Sequence, residues 1–159
     1  IFKLRINPKL MKYILIQLVK TMDDAKGHFE MIENKIENNE GINWGIALKE
    51  EPQKAFGVIG HYRISPENHR SEIGYMILDE YSGNGYVTEA IESVLDYGFN
   101  DLKLHSIEAV IDPDNIGSER VLQKCGFVKE AHILENELFE DKFWDTVIYS
   151  ILKKNYKKK

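Results

Sequence analysis

The chain has 159 residues, enough for a single domain with a real core and no need of covalent staples. Its 43% hydrophobic and 30% charged content is that of an ordinary globular protein, and a net charge of −5 argues against a general nucleic-acid or membrane binder, since either needs a basic surface. The lone cysteine, Cys125, excludes a disulfide framework and a cysteine-rich zinc site, and no apolar run approaches the roughly 18 residues of a membrane-spanning helix. No signal-peptide pattern opens the sequence, whose first residue is Ile1 rather than Met, so a trimmed start and a cytoplasmic protein are expected.

Ile1 to Lys9 reads as an opening strand followed by a Pro8 turn, and Tyr13 to Val19 as a β-rich apolar run. Thr21 stands three residues before Asp24, a helix-capping arrangement. Ala25, Phe29, Ile32 and Ile36 then follow at steps of four, three and four, which predicts one apolar helical face ending at Asn38-Asn39-Glu40-Gly41. Asn43 to Leu48 and Ala55 to Ile64 are predicted strands joined by a polar turn, and a second turn from Ser65 to Arg70 leads into a third, Ile73 to Leu78. These spacings predict a three-stranded antiparallel meander.

After that strand comes the glycine-punctuated loop Tyr81-Ser82-Gly83-Asn84-Gly85-Tyr86, with a helix opening at about Thr88. Ala90, Ile91, Val94 and Leu95 recur at one-face spacing in that helix, which ends near Gly98-Phe99-Asn100. Ser106 to Ile111 is a strand. A helix from Ile116 to Lys124 has Asp114 or Asn115 as its N-cap and Gly126 as its stop. Phe127 to His132 and Thr146 to Leu152 are the last strands, before a solvated tail from Lys153 to Lys159. The order β-α-β-β-β-α-β-α-β-β predicts a mixed α/β domain with one continuous sheet.

A strand that runs through glycines into a helix N-terminus gathers free backbone N–H groups at the positive end of a helix dipole, an arrangement suited to phosphate or pyrophosphate. The Walker loop is excluded by glycine spacing and by the missing Lys-Ser/Thr pair, and the dinucleotide fingerprint by Thr88 where a third glycine belongs. A GxG alone is more often a turn than a ligand site.

Two motifs in this order, YSGNGYVTEA (81–90) and DPDNIGSERVLQKCGF (112–127), resemble the GNAT superfamily of acyl-CoA N-acyltransferases. The resemblance runs from the Tyr13 run to Leu152. The spelling IGYMILDEYSGNGY, with Asp145 and Tyr149-Ser150 near the end, is similar to the ribosomal-protein N-terminal acetyltransferase (RimJ/RimL-like) branch, which also holds acetylators of small amines. The resemblance implies a GNAT-like fold over residues 1–159, with a central, mostly antiparallel sheet flanked by helices. It implies acetyl-CoA as cosubstrate without a metal, and an amine acceptor that is a protein N-terminus or a small molecule. Nucleic acid and membrane are not expected as partners, and a homo-oligomer is left open. Where relatives carry Gln or Arg at the head of the loop this chain has Glu80, so pyrophosphate binding falls to the loop Ser82, Gly83, Asn84, Gly85, Tyr86, Val87 and Thr88, chiefly through backbone amides.

The implied reaction is direct attack of a neutral amine on a thioester. It needs a base, because an amine of pKa about 8 to 10.4 is mostly protonated at neutral pH. It also needs a donor for the oxyanion and a donor for the departing sulfur. The N–H of Ile77 or Leu78 is the expected oxyanion donor. The tyrosine that many relatives place seven residues after the motif's Asn is Leu122 here, counted from Asn115. The resemblance therefore assigns the sulfur to Ser118, which could equally be a local capping hydroxyl. Glu72 is the first choice of base, against a plain solvated carboxylate, and His61 the second, against a structural histidine. Asn115 is expected to bond the pantetheine arm or the helix start. Trp44 and Trp144 are candidates for an acceptor wall or for core, and Cys125, with no adjacent His, is not a nucleophile. The competing readings are a CoA-binding sensor without turnover and a purely structural module.

Overall fold

The computed structural model describes residues 2–157, which run α1 (Phe2–Arg5), α2 (Pro8–Met11), α3 (Met22–Glu37), β1 (Ile42–Ile46), β2 (Gly57–Ser65), β3 (Arg70–Ile77), α4 (Tyr86–Asn100), β4 (Ser106–Ile111), α5 (Ile116–Lys124), β5 (Val128–Phe139) and β6 (Lys142–Leu152). The six strands form one sheet in the order β1-β2-β3-β4-β6-β5, and only the β3–β4 pair is parallel. The mixed α/β fold with a mostly antiparallel, helix-flanked sheet is thus the one expected.

Strand alternation divides the interior. Ile73 of β3, Ile59 of β2 and Ile107 and Ala109 of β4 are buried with Ile91, Leu95 and Phe99 of α4 and Leu122 of α5, forming the main core. Met76 of β3 points to the other face, where Leu4 of α1 and Met11 of α2 cover it. Full burial of an apolar side chain is worth roughly 1.5–3 kcal/mol, so the α4–α5 face carries most of the stabilisation.

The N-terminal expectations are corrected. Ile1, the first residue of the predicted opening strand, lies outside the described residues; the rest forms α1 and α2, the latter capped by the Asn7 side chain with Pro8 in its first turn. The Tyr13–Val19 run forms no strand: Ile14 and Ile16 close local turns, and Ile16 and Leu18 remain exposed. A β-prone run needs a neighbouring strand to pair with, and β1 at that edge pairs only with β2. The Thr21–Asp24 capping box is present. The apolar face of α3 is not covered, since Ala25 alone is buried and Phe29 and Ile36 stay exposed.

Elsewhere the elements stand where expected with shifted ends. Helix α4 starts at Tyr86, two residues early, because Gly85 at φ +83° supplies its N-cap. Strand β5 continues past His132 to Phe139, and Glu140 and Asp141, both at positive φ, turn it into β6. Lys158 and Lys159 of the expected tail lie outside the described residues.

Candidate active site

β4 is paired with β6 from Ser106 to Ile111 but with β3 only from Ser106 to Glu108, opposite Arg70 to Glu72. Beyond that point β3 and β4 diverge and the sheet opens into a wedge. A cleft of about 960 Å³ occupies it, lined by β3, the 82–88 loop, the start of α5 and the α1–α2 segment. The backbone explains which groups face it. Antiparallel pairing sends alternate N–H groups to opposite sides. Leu78 N–H donates to Phe56 C=O at 2.9 Å, so even-numbered residues of β3 bond to β2; the odd ones face β4, and beyond the last paired residues the N–H groups of Tyr75 and Ile77 point into the wedge. This corrects the expectation for Leu78: its amide is spent and it does not line the cleft, whereas Ile77 does.

The loop brings amides in number. Gly83 and Gly85 lie at φ +80° and +83°, conformations that L side chains rarely adopt, and a Cβ added to either meets nothing within 4 Å. Among the described residues the N–H groups of Gly83, Asn84, Gly85, Tyr86, Val87 and Thr88 have no hydrogen-bond partner; those in the first turn of α4 cannot find one within the helix. Ser82, Gly83, Gly85, Tyr86, Val87 and Thr88 line the cleft. The Asn84 side chain turns back instead, donating to the carbonyls of Tyr81 and Ser82. This open row of donors fits the diphosphate of CoA.

Across the wedge, Asn115 caps α5 by accepting from Ser118 N–H at 3.2 Å, and both residues line the cleft. The cap occupies the Asn115 carbonyl oxygen and leaves its amide N–H₂ for a ligand. Leu122 is 0% exposed and belongs to the core, not to the cleft.

Glu72 sits where β3 and β4 part, its side chain 17% exposed and bonded to Arg63 at 2.9 Å. Burial raises its pKa, against the lowering pull of Arg63, while Glu108 beside it on β4 raises it further. Glu108 is itself bonded to Arg70. His61 is not at the cleft. It is fully buried, with Nδ1 against Ser71 Oγ at 2.7 Å and Nε2 against Val94 C=O at 3.1 Å. A carbonyl only accepts, so Nε2 carries the proton and Nδ1 accepts from Ser71. Burial lowers its pKa, and it is a satisfied core histidine.

Trp44 packs edge-on against Tyr97 beside a separate cavity of about 400 Å³ under α4. Trp144 lies at the β5–β6 hairpin, its Nε1–H on Phe139 C=O and Lys142 over its ring. Neither lines the cleft. Cys125 is buried at the end of α5. Among the cleft residues given no role from the sequence is Tyr75. Tyr75 lines the wedge, burial pushes its hydroxyl up to about 12, and that hydroxyl has no formed hydrogen bond. Three residues beyond Glu72, the tyrosine falls on the opposite face of the strand, so spacing gave no signal for it.

Among the described residues no group of three or more His, Cys, Asp or Glu could hold a metal ion, and no helix is long and apolar enough to cross a membrane. A splayed parallel pair, a free-amide loop at a helix start and a capped helix opposite define an acyl-CoA-dependent transferase. Residues 1–128 match the acetyltransferase (GNAT) domain family, and the chain belongs to it. It is 32% identical to YoaA of Bacillus subtilis (strain 168), an N-acetyltransferase not yet characterised, over 92% of this chain and 82% of that one. The crystal structure of a GNAT-family acetyltransferase from Bacillus anthracis superposes with a TM-score of 0.83 at 29% identity, covering 97% of this chain and 87% of that one. Spermidine N-acetyltransferase from Vibrio cholerae, solved with CoA and spermine, gives a TM-score of 0.85 over 98% of this chain and 89% of that one, a likeness of fold at 23% identity. The protein is an acetyl-CoA-dependent N-acetyltransferase.

Proposed function

We propose that the acceptor is a primary amine, either a protein N-terminal α-amine or a small-molecule amine, which attacks directly while both substrates share the cleft. The observation that carries this reading is that one wedge holds the free amides of residues 83–88 at one end and the half-buried Glu72 at the other. Acetyl-CoA supplies the acetyl thioester. Residues 82–88, apart from the inturned Asn84 side chain, hold its diphosphate, and Asn115 bonds its arm. Ile77 N–H receives the charge that develops on the carbonyl oxygen. Ser118 donates to the sulfur as it leaves. Glu72 accepts the amine proton directly or through a water. Its raised pKa keeps it a stronger base than an exposed carboxylate.

Release of CoA with a panel of spermidine, lysine-bearing peptides and peptides with free N-termini tests the reading. Turnover with at least one primary amine and none with its N,N-dimethyl analogue is expected. Failure of every primary amine by a protein that binds CoA would overturn it.

A further inference from the structure

Tyr75 is the group in the cleft that the mechanism does not yet use. Its ring packs against the main core and its hydroxyl is shut away from solvent without a formed hydrogen bond. An unpaired buried hydroxyl costs stability, and phenylalanine would fill the same space without that cost. Tyr75 and Ser118 line the same cleft, and the Ser118 hydroxyl is the hydrogen-bonding group nearest the phenol's influence, yet no hydrogen bond between them is formed. Ser118 itself is pinned only through its backbone N–H, to Asn115, so its hydroxyl is free to turn.

We propose that Tyr75 is a positioning residue for the acetyl transfer: its O–H donates to Ser118 Oγ and thereby aims the Ser118 O–H at the departing sulfur. This rests on the reading of Ser118 given above. The bookkeeping is simple. As the tetrahedral intermediate collapses, the oxyanion pair re-forms the carbonyl and the C–S bond breaks with its electron pair going to sulfur. Ser118 O–H donates a hydrogen bond to that thiolate, Tyr75 O–H donates one to Ser118 Oγ, both hydroxyls keep their protons, and the amine proton goes to Glu72. A phenol that titrates near 12 keeps its proton throughout the working pH range. The arrangement also accounts for a tyrosine on β3 where the α5 position seven beyond Asn115 is a leucine sealed in the core.

The test is Tyr75→Phe in the full chain, measured for kcat, for the KM of acetyl-CoA and for Tm, with Ser118→Ala and the double variant beside it. Tyr75→Phe should lower kcat about tenfold, as expected for one lost hydrogen bond, with KM unchanged and Tm equal to or above wild type. The double variant should be no slower than Ser118→Ala alone. Wild-type kcat in Tyr75→Phe alongside a slow Ser118→Ala overturns the role of Tyr75 and leaves the serine reading standing. Wild-type kcat in Ser118→Ala overturns the serine reading and the relay with it. Losses that multiply in the double variant also overturn the relay, because they would show two independent contributions.

Discussion

Gly85 separates backbone geometry from ligand chemistry. At φ +83° it caps α4 and lines the cleft, and a Cβ built there meets nothing within 4 Å. Gly85→Ala therefore pays only for the left-handed conformation, about 1–2 kcal/mol, or a fall in Tm of roughly 2–8 °C for a domain of this size. The amide stays, so CoA affinity should fall only slightly. Gly85→Glu carries the same strain and adds a carboxylate among the free amides of residues 83–88. Two like charges about 4 Å apart repel by roughly 1 kcal/mol in water and about 4 kcal/mol near a protein surface, which corresponds to a loss of affinity of roughly 5- to 1,000-fold. Calorimetric titration with CoA at low and high salt measures both variants, and the penalty in Gly85→Glu should shrink as salt screens it. If folded Gly85→Glu binds CoA like wild type, or if Gly85→Ala loses as much affinity as Gly85→Glu, the diphosphate does not lie on this loop.

Glu72→Gln should lower kcat by about 10²- to 10⁴-fold and flatten the acidic limb of the kcat/KM profile; an unaltered profile would move the base to water. The same variant has a stability signature. With its pKa raised in the folded state, native Glu72 holds its proton where the unfolded chain has lost it, so stability falls as pH rises from the ordinary carboxylate value through the raised one. Glu72→Gln should remove that fall, which Tm measured across acidic pH would reveal. Gly98→Ala places a Cβ 2.7 Å from Ile107 Cδ1 and 2.8 Å from His61 Cε1, inside the fully buried histidine pocket. It should cost about 1–3 kcal/mol by urea unfolding while leaving CoA affinity per folded molecule unchanged. Turnover should survive exhaustive treatment with EDTA; activity that is lost and then restored by a divalent ion would require a metal in the account.

The parts of this fold that were legible in the sequence are those set by local chemistry. The Thr21–Asp24 box, the Asn115 cap and the Gly126 stop each satisfy helix-end groups with their own side chains or backbone, so their positions follow from spacing. The 82–88 loop was legible for the same reason. Tyr13 to Val19 misled because an apolar β-branched run forms a strand only when another strand offers an open edge. The α3 face misled in the opposite way: its periodicity is helical, but nothing among the described residues covers Phe29 or Ile36. In the site, the wedge was beyond local reading, since it exists only because β3 and β4 stop pairing after Glu72 and Glu108. That register also decided between Ile77 and Leu78, one amide facing the wedge and the other bonded to Phe56. His61 was removed from the chemistry by two partners distant in sequence, Ser71 and Val94.

The central claim is that the open amides of residues 83–88 bind the diphosphate of acetyl-CoA. It is tested most directly by amide chemical shifts in ¹⁵N-labelled protein titrated with CoA and, separately, with dephosphorylated pantetheine. The account predicts that CoA moves the amides of Gly83, Asn84, Gly85, Tyr86, Val87 and Thr88 further than any others, and that pantetheine moves Ile77 and Ser118 while leaving the loop unchanged. Saturable binding of CoA with those six amides unmoved would contradict it.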